Sequence, residues 1–323
     1  MIRSIALYES KSYDPYYNLA VEQILLESVT DQCILYLWQN ENTVVIGRNQ
    51  NPWKECRTTL LSQEGGNLVR RLSGGGAVFH DLGNLNFTFL MPQEDYDVDR
   101  QLSVILEGVR ALRISAEKSG RNDILAEGRK FSGNAFYKNG KQAYHHGTLL
   151  MDVDMGKLGR YLSPPKAKLE AKGVDSVRSR VVNLRELNPD ITVDSLKSAL
   201  AQAFAQVYDL PLQQIEESEL DRDKISELSA RNRSWEWNFG HRMPFSFEKE
   251  ARFPWGCVQI RSEINEGQIK HTKIYSDSMD WDWVSTAESV LQDCPFDSQS
   301  LRERLQHLPV AEDLLQILCS DIL

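Results

Sequence analysis

The chain has 323 residues, 41% hydrophobic and 26% charged, with 37 Lys and Arg against 46 Asp and Glu, a net charge of −9. That composition fits a folded protein of about two domains and excludes dominant disorder. The acidic balance excludes a sequence-blind nucleic-acid binder, which needs a basic field to neutralise phosphates. No apolar run approaches the ~18 residues of a membrane-spanning helix, and the N-terminus lacks the apolar stretch of a signal peptide. Five cysteines, odd in number and without a CxxC, indicate neither a disulfide framework nor a zinc site. The expectation is a cytoplasmic protein with no membrane or nucleic-acid partner.

The first half reads as mixed α and β. Val21, Ile24, Leu25 and Ser28 fall at helical spacing and predict a helix over 18–29. CILYLW (33–38) and TVVIG (43–47) are β-rich runs around NEN (40–42), which suggests a hairpin-like pair. Leu102, Ile105, Leu106, Val109 and Leu112 predict a helix over 101–113. Leu196, Leu200, Phe204 and Val207 predict another over 192–208, capped by Thr192. Between them, FSGNAFY (131–137) and QAYHHGTLLMDV (142–153) flank Asn139-Gly140, the dipeptide of a two-residue turn. That turn would pair Lys138 with Lys141 and place Lys130, Ser132, Asn134, His145 and Gly147 on one face, with His146, Phe131, Ala135 and Tyr144 on the other. The tail alternates polar and apolar residues over 245–276, a small antiparallel meander, followed by helical patterns near 286–306 and 311–322. A domain boundary is placed near 240–246, giving domains 1–244 and 245–323. Trp235 and Trp237 are expected to pack in a core or at a domain interface.

The segment most suggestive of chemistry is VRRLSGGGAVFHDLGNLNFTF (69–89). Three glycines let backbone approach a ligand closely and point N–H groups at an anion. It is neither GxxxxGK[ST] nor a GxGxxG opening a helix, because AVF and NFTF read as strand. Two readings stay open: a phosphate- or adenylate-binding loop helped by Arg70 or Arg71, and a tight turn with solvated arginines. Lys130, in GRK, has no carboxylate near it in sequence and reads as a strand-end lysine. Asp123, in GRNDI, is a turn or cap residue or a ligand for a divalent cation bridging phosphates. His80 follows the glycine strand and is a ligand contact or a satisfied core histidine. His145-His146 face opposite ways on a strand and lack a third ligand, which argues against zinc. Residues 166–184 are a mobile phosphate cover or a solvated linker. No cysteine sits in a nucleophile-like context.

Taken together, SYDPYYNLAVEQ (12–23), LYLWQNENTVVIGRNQNPWKEC (35–56), RRLSGGGAVFHDLGN (70–84), GRNDI (120–124), GRKFSGNAF (128–136), HHGTLL (145–150), KGVDSVRSRVVNL (172–184) and SWEWNFG (234–240) resemble the bacterial lipoate–protein ligase A family over residues 8–240. The resemblance implies an α+β fold, a mostly antiparallel sheet flanked by helices as in biotin ligases and class II aminoacyl-tRNA synthetases, with a small α+β C-terminal domain. It implies an adenylate-forming ligase that uses ATP, Mg2+ and lipoate and transfers lipoyl to a lysine of lipoyl domains, namely E2 subunits and the glycine-cleavage H protein. Residue by residue, it assigns ATP or adenylate binding to Arg71, Gly75, Gly76, Ala77, Val78, Phe79, Asn122, Asp123 and Lys130. Lipoate binding falls to Arg71, Ser73, His80, Lys130 and His146. Lys130 is the catalytic residue, Asp123 the magnesium ligand, and residues near 172–180 a cover for the intermediate.

Three rival readings differ in the residues they require. An octanoyl or lipoyl transferase of the same fold needs no ATP and uses a nucleophilic cysteine, which is missing near HHGTLL. A biotin ligase carries an Arg-Gly-rich loop rather than SGGGAVFH. A non-catalytic lipoate binder is hard to reconcile with Lys130, Arg71 and Asp123 all present.

Overall fold

The structure is a computed structural model and describes residues 2–119, 123–163, 181–240 and 245–320. The chain divides into two compact units. The first comprises Met1–Val45, Trp53–Arg70 and Val78–Asn238, and the second Ile46–Pro52, Arg71–Ala77 and Phe239–Leu323. The second unit therefore takes in two short segments of the N-terminal half besides the tail. Among the described residues no helix is long and apolar enough to cross a membrane.

The strands that precede residue 240 are, in chain order, β1 (Ser4–Glu9), β2 (Gln32–Trp38), β3 (Thr43–Ile46), β4 (Asn67–Arg70), β5 (Val78–His80), β6 (Asn84–Pro92), β7 (Ala116–Ser119), β8 (Asp123–Ala126), β9 (Arg129–Lys138), β10 (Gln142–Leu150) and β11 (Leu212–Gln214). Eight form one sheet in the order β11-β1-β2-β6-β10-β9-β8-β7, and three form a small sheet in the order β4-β3-β5. β1 pairs in parallel with β2 and β11, whereas β2–β6, β6–β10, β10–β9, β9–β8 and β8–β7 pair antiparallel. This is the expected mixed, mostly antiparallel architecture.

Helix α1 (Pro15–Ser28) starts three residues before the expected 18, because Asp14 caps it by accepting from the Tyr16 and Tyr17 N–H groups and Pro15 opens its first turn. Helices α2 (Val98–Ala111) and α3 (Val193–Tyr208) present their apolar stripes to one face of the large sheet. There Leu102, Ile105, Val109, Leu196, Leu200 and Phe204 meet Phe87, Phe89 and Met91 in one core. Thr192 caps α3 as expected, accepting from Ser195 N–H. A further helix, α4 (Arg222–Arg233), packs against α1.

The runs at 33–38 and 43–47 do not form a hairpin. β2 joins the large sheet and β3 pairs with β5. The connection is diverted: Asn40 Oδ1 accepts from Asn18 at 3.0 Å, and Glu41 N–H donates to Tyr13 O. These bonds tie the NEN segment to the start of α1 instead of closing a turn. The Asn139-Gly140 hairpin forms, but with Ala143 opposite Lys138 and a turn closed by Asn139 N–H to Gln142 O. The register is thus two residues from the expected one, which preserves facing.

The second unit holds an antiparallel sheet, β12 (Phe247–Phe253), β13 (Gly256–Asn265), β14 (Gln268–Ser276) and β15 (Cys294–Pro295), in that order. Helices α5 (Trp283–Leu291), α6 (Ser298–Leu305) and α7 (Ala311–Leu318) pack on it around Ile260, Ile274, Leu301 and Leu315. The pattern read as one helix over 286–306 is two. Asp293 turns left-handed at φ 53°, and Cys294-Pro295 pairs with β14, where Pro295 could not continue a helix.

One buried polar group in the first core titrates. His145 is fully enclosed, with Nδ1 3.0 Å from Gln101 Oε1 and the Asn134 amide 2.8 Å from Nε2. Burial, and secondarily His146, push its pKa down to about 3. The unfolded imidazole titrates near 6.5, so between these values the unfolded chain binds more protons. Stability is therefore full above about pH 6.5 and falls toward pH 3 by up to ~1.4 kcal/mol per pH unit. Denaturant titrations at pH 7, 5.5 and 4.5 are expected to show this slope in the wild type and a shallower one in His145→Gln. Parallel curves would exclude His145 as its source.

Candidate active site

The candidate residues of the first unit gather on the sheet face opposite the α2–α3 core. Strand parity puts Asn84, Asn86 and Thr88 of β6 on that face, since Leu85, Phe87 and Phe89 point into the core. Tyr36 and Trp38 of β2 lie opposite Thr88 and Asn86, and His146 and Thr148 of β10 oppose the same two residues from the other side.

Lys130 reaches this face through a bulge. Ile124 pairs with Ser132 and Leu125 with Lys130, so Phe131 is an extra residue in β9. Phe131 and Ser132 are both fully buried. The shift moves Lys130 away from the face of Asn134 and His145, where strict alternation had put it, and onto the face of His146. Its Nζ lies 2.6 Å from Asp123 Oδ1. A Cβ built on Gly133 would stand 3.0 Å from that Nζ and 3.9 Å from Thr148 Oγ1, so the ammonium rests over a residue with no side chain. Lys130 O accepts from Val182 N–H at 2.9 Å, which anchors the bulge. The lysine that reads as carboxylate-free in sequence is thus half of an ion pair, its side chain about one third exposed. A pair this exposed contributes at most ~1 kcal/mol, so a bound anion competes for Lys130 at little cost.

His146 is buried and its Nδ1 sits 2.8 Å from Glu22 Oε1. Thr88 Oγ1 donates to the same oxygen at 2.8 Å and accepts from Trp38 Nε1 at 3.1 Å. Donor follows acceptor along this row, so the carboxylate of Glu22 is buried with two partners rather than stranded. His80 is also buried. Its Nδ1 lies 3.3 Å from Asn40 Nδ2, and its ring meets Trp38 edge-on at 6.1 Å. Glu22, Thr88, Asn40 and Asn86 were not picked out in sequence. Thr88 and Asn86 lie inside an apolar strand whose parity brings them to this face, Glu22 comes from α1, and Asn40 from the connection between β2 and β3.

Arg71, Ser73 and Gly74 to Ala77 belong to the second unit, whereas Val78, Phe79, His80, Asp123, Lys130 and His146 belong to the first. Within the second unit the glycine loop is built into the tail. Gly75, at φ 87°, donates its N–H to Ser278 O at 3.1 Å. A Cβ on Gly74 would fall 2.3 Å from that oxygen and 2.9 Å from Met279 O. Arg71 is buried and turns its guanidinium onto the loop itself, donating to Ser73 Oγ, Gly74 O and Gly76 O. Gly74 is thus explained by packing within this unit and Gly75 by its positive φ, whereas Gly76 has open space where a Cβ would stand. A second segment lies against the loop: Arg48 N–H donates to Ser73 O, and the Arg48 guanidinium covers the Trp281 ring at 4.2 Å.

Asn122 and residues 172–180 lie outside the described residues, as do Met243 and Pro244 of the expected boundary. Trp235 is not core: it is half exposed, beside an equally exposed Trp53 with ring centroids 6.4 Å apart. Trp237 instead donates from Nε1 to Arg70 O at 2.9 Å.

Residues 14–205 match the lipoyl protein ligase A/B catalytic domain, and residues 242–323 match the bacterial lipoate protein ligase C-terminus. The chain belongs to the lipoate–protein ligase family. Solved members show the same fold. LipL1 of P. falciparum, determined in complex with lipoate, is 26% identical with a TM-score of 0.83, covering 97% of this chain and 99% of that one. A bipartite lipoate protein ligase from Thermoplasma acidophilum, determined in work on it and its E2 lipoyl domain, is 26% identical with a TM-score of 0.66, covering 76% and 100%. A lipoate-protein ligase A bound with ATP is 25% identical with a TM-score of 0.63, covering 74% and 99%.

The glycines can be separated by stability. Gly74→Ala must displace backbone and is expected to cost about 1–3 kcal/mol. Gly76→Ala is expected to stay within ~0.5 kcal/mol of wild type. Thermal melts of the two variants check this. Equal stabilities would mean that the loop does not depend on its packing against Ser278 and Met279.

Proposed function

We propose that this protein is an ATP-dependent lipoate–protein ligase. Lipoate's carboxylate oxygen attacks the α-phosphorus of ATP, the bond to pyrophosphate breaks, and lipoyl-AMP forms. A neutral lysine amine of a lipoyl domain then attacks the acyl carbon, loses a proton and expels AMP. The observation that carries this reading is Lys130, an ammonium in a weak ion pair with Asp123 on the face that also holds His146 and Trp38. A carboxylate approaching a phosphate meets like charge, so the reaction needs positioning and neutralisation rather than a covalent enzyme intermediate. Lys130, as a compact point charge, supplies both by bridging the acid and the α-phosphate. Ser73, His80 and His146 serve the acid, Arg71 both substrates, and Gly75, Gly76, Ala77, Val78, Phe79 and Asn122 the nucleotide.

Magnesium fits this site as part of the nucleotide. Among the described residues no three His, Cys, Asp or Glu side chains group as a metal cage. Asp123 offers one carboxylate, which suits an ion held mainly by phosphate oxygens and water. When bound, the ion would neutralise phosphate charge, with Asp123 its ligand from the chain.

The alternative transferase chemistry needs an activated thiolate. Burial pushes both Cys33 and Cys56 up to about 12, and it raises Cys257 and Cys294 as well. Acceptors in this reading are E2 lipoyl domains and the H protein. The Thermoplasma ligase, determined in work that also treats its E2 lipoyl domain, supports the former. Residues 1–244 would form the catalytic part and 245–323 the accessory part.

ATP–pyrophosphate exchange with magnesium and lipoate, octanoate or biotin in turn tests the proposal. Exchange that depends on lipoate is expected. Lys130→Ala should reduce it about 10²- to 10³-fold, the loss typical of one charge-stabilising donor, and should weaken lipoate binding by a smaller factor without abolishing it. Undiminished exchange in that variant would remove Lys130 from its role. Octanoyl transfer from a carrier protein without ATP would overturn the ligase reading.

A further inference from the structure

Beneath the lysine, one line of residues crosses five neighbouring strands: Asp123, Gly133, Thr148, Asn86 and Trp38. Asp123 pairs with Gly133, Gly133 N–H reaches Thr148 Oγ1 at 3.3 Å, Thr148 pairs with Asn86, and Asn86 pairs with Trp38. Lys130 Nζ stands over Gly133. Asn86 therefore lies two strands away, about 10 Å along the face, roughly the reach of an extended medium-chain acid whose carboxylate is at Lys130.

Asn86 is an unusual residue to bury there. It is 1% exposed and Asn84 is fully buried. Asn84 Nδ2 donates to Asn86 Oδ1 at 2.8 Å, but among the described residues Asn86 Nδ2 and Asn84 Oδ1 have no partner. Turning both amides exchanges the atoms and leaves the balance unchanged, with one donor and one acceptor unfilled. Buried amide groups are nearly always satisfied, so such a deficit asks for an occupant.

We propose that Asn86, held by Asn84, is a specificity residue that reads the far end of the bound acid and favours a sulfur-containing ring over a plain alkyl tail. This rests on the ligase reading above. The chemistry is an amide N–H donating to sulfur, a weak acceptor. The same protein contains one such contact, from Gln101 Nε2 to Met91 Sδ at 2.8 Å. An octanoyl tail has no acceptor to offer and leaves the amide unpaired. A site with a buried polar group discriminates against the ligand that cannot satisfy it.

The test compares three acids on the full-length protein: lipoate, octanoate, and 5-cyclopentylpentanoate, which keeps a five-membered ring but has carbon in place of both sulfurs. Binding by calorimetry and KM in the exchange assay are both read. Wild type is expected to bind lipoate about three- to tenfold more tightly than the carbocyclic acid, the span of one modest hydrogen bond. Equal affinity for these two would overturn the proposal without any variant. In Asn86→Leu the ratio of lipoate to carbocyclic affinity should fall toward one, through KM rather than kcat. A variant that weakens every acid by the same factor would show a structural role only and would also overturn it. Binding of lipoate without exchange would instead refute the ligase reading while leaving this comparison measurable.

Discussion

Side chains on a strand alternate between faces, and in the eight-stranded sheet this parity separates two chemically different surfaces. One carries Leu85, Phe87, Phe89 and Met91 into a core with α2 and α3. The other carries Asn84, Asn86, Thr88, His146 and Thr148. Lys130 joins the second set only because β9 contains one residue more than β8 requires. Without the bulge at Phe131 and Ser132 its ammonium would point into hydrocarbon, where a charge cannot stay unpaired. The ion pair with Asp123, the seat of the ammonium over Gly133 and the alignment with Asn86 all follow from that one insertion.

The polar face is held in order by hydrogen bonds rather than by bulk. Glu22, Thr88, Trp38 and His146 form one row, and Asn18, Asn40 and His80 another. Each buried group in these rows has a named partner, which spares the desolvation penalty that unpaired polar atoms incur. Helix α1 contributes to both rows through Asn18 and Glu22, two positions one helical turn apart. Its Asp14 cap and Pro15 start therefore set the phase of the site as well as the end of a helix. The Asn84–Asn86 pair, by contrast, keeps one donor and one acceptor without a partner among the described residues.

Much of this was legible in the sequence. The helices at α2 and α3, the Asn139-Gly140 hairpin and the strand character after the glycines follow from local spacing and turn chemistry. Three features were not, each because the cause is remote in the chain. The expected hairpin of β2 and β3 is undone by Asn18, more than twenty residues away from Asn40. The facing of Lys130 depends on how β8 pairs, which no period-two count of β9 alone reveals. The glycine triplet reads as a ligand loop, yet Gly74 and Gly75 answer to Ser278, some two hundred residues downstream. Even Lys130 gains its carboxylate neighbour only when β8 and β9 pair across the turn at Glu127 and Gly128.

The make-up of the second unit bears on how such an enzyme can be divided. Its tail begins near residue 239, but Ile46–Pro52 and Arg71–Ala77 are threaded into it from far upstream. A single break of the chain near 240 would assign those two segments to the larger fragment and Ser278, Met279 and Trp281 to the smaller. Neither piece would then carry the whole of the second unit, and the glycine loop would regain its carbonyl partner only when the fragments associate. A gene split at that point would encode a ligase whose loop geometry depends on subunit concentration.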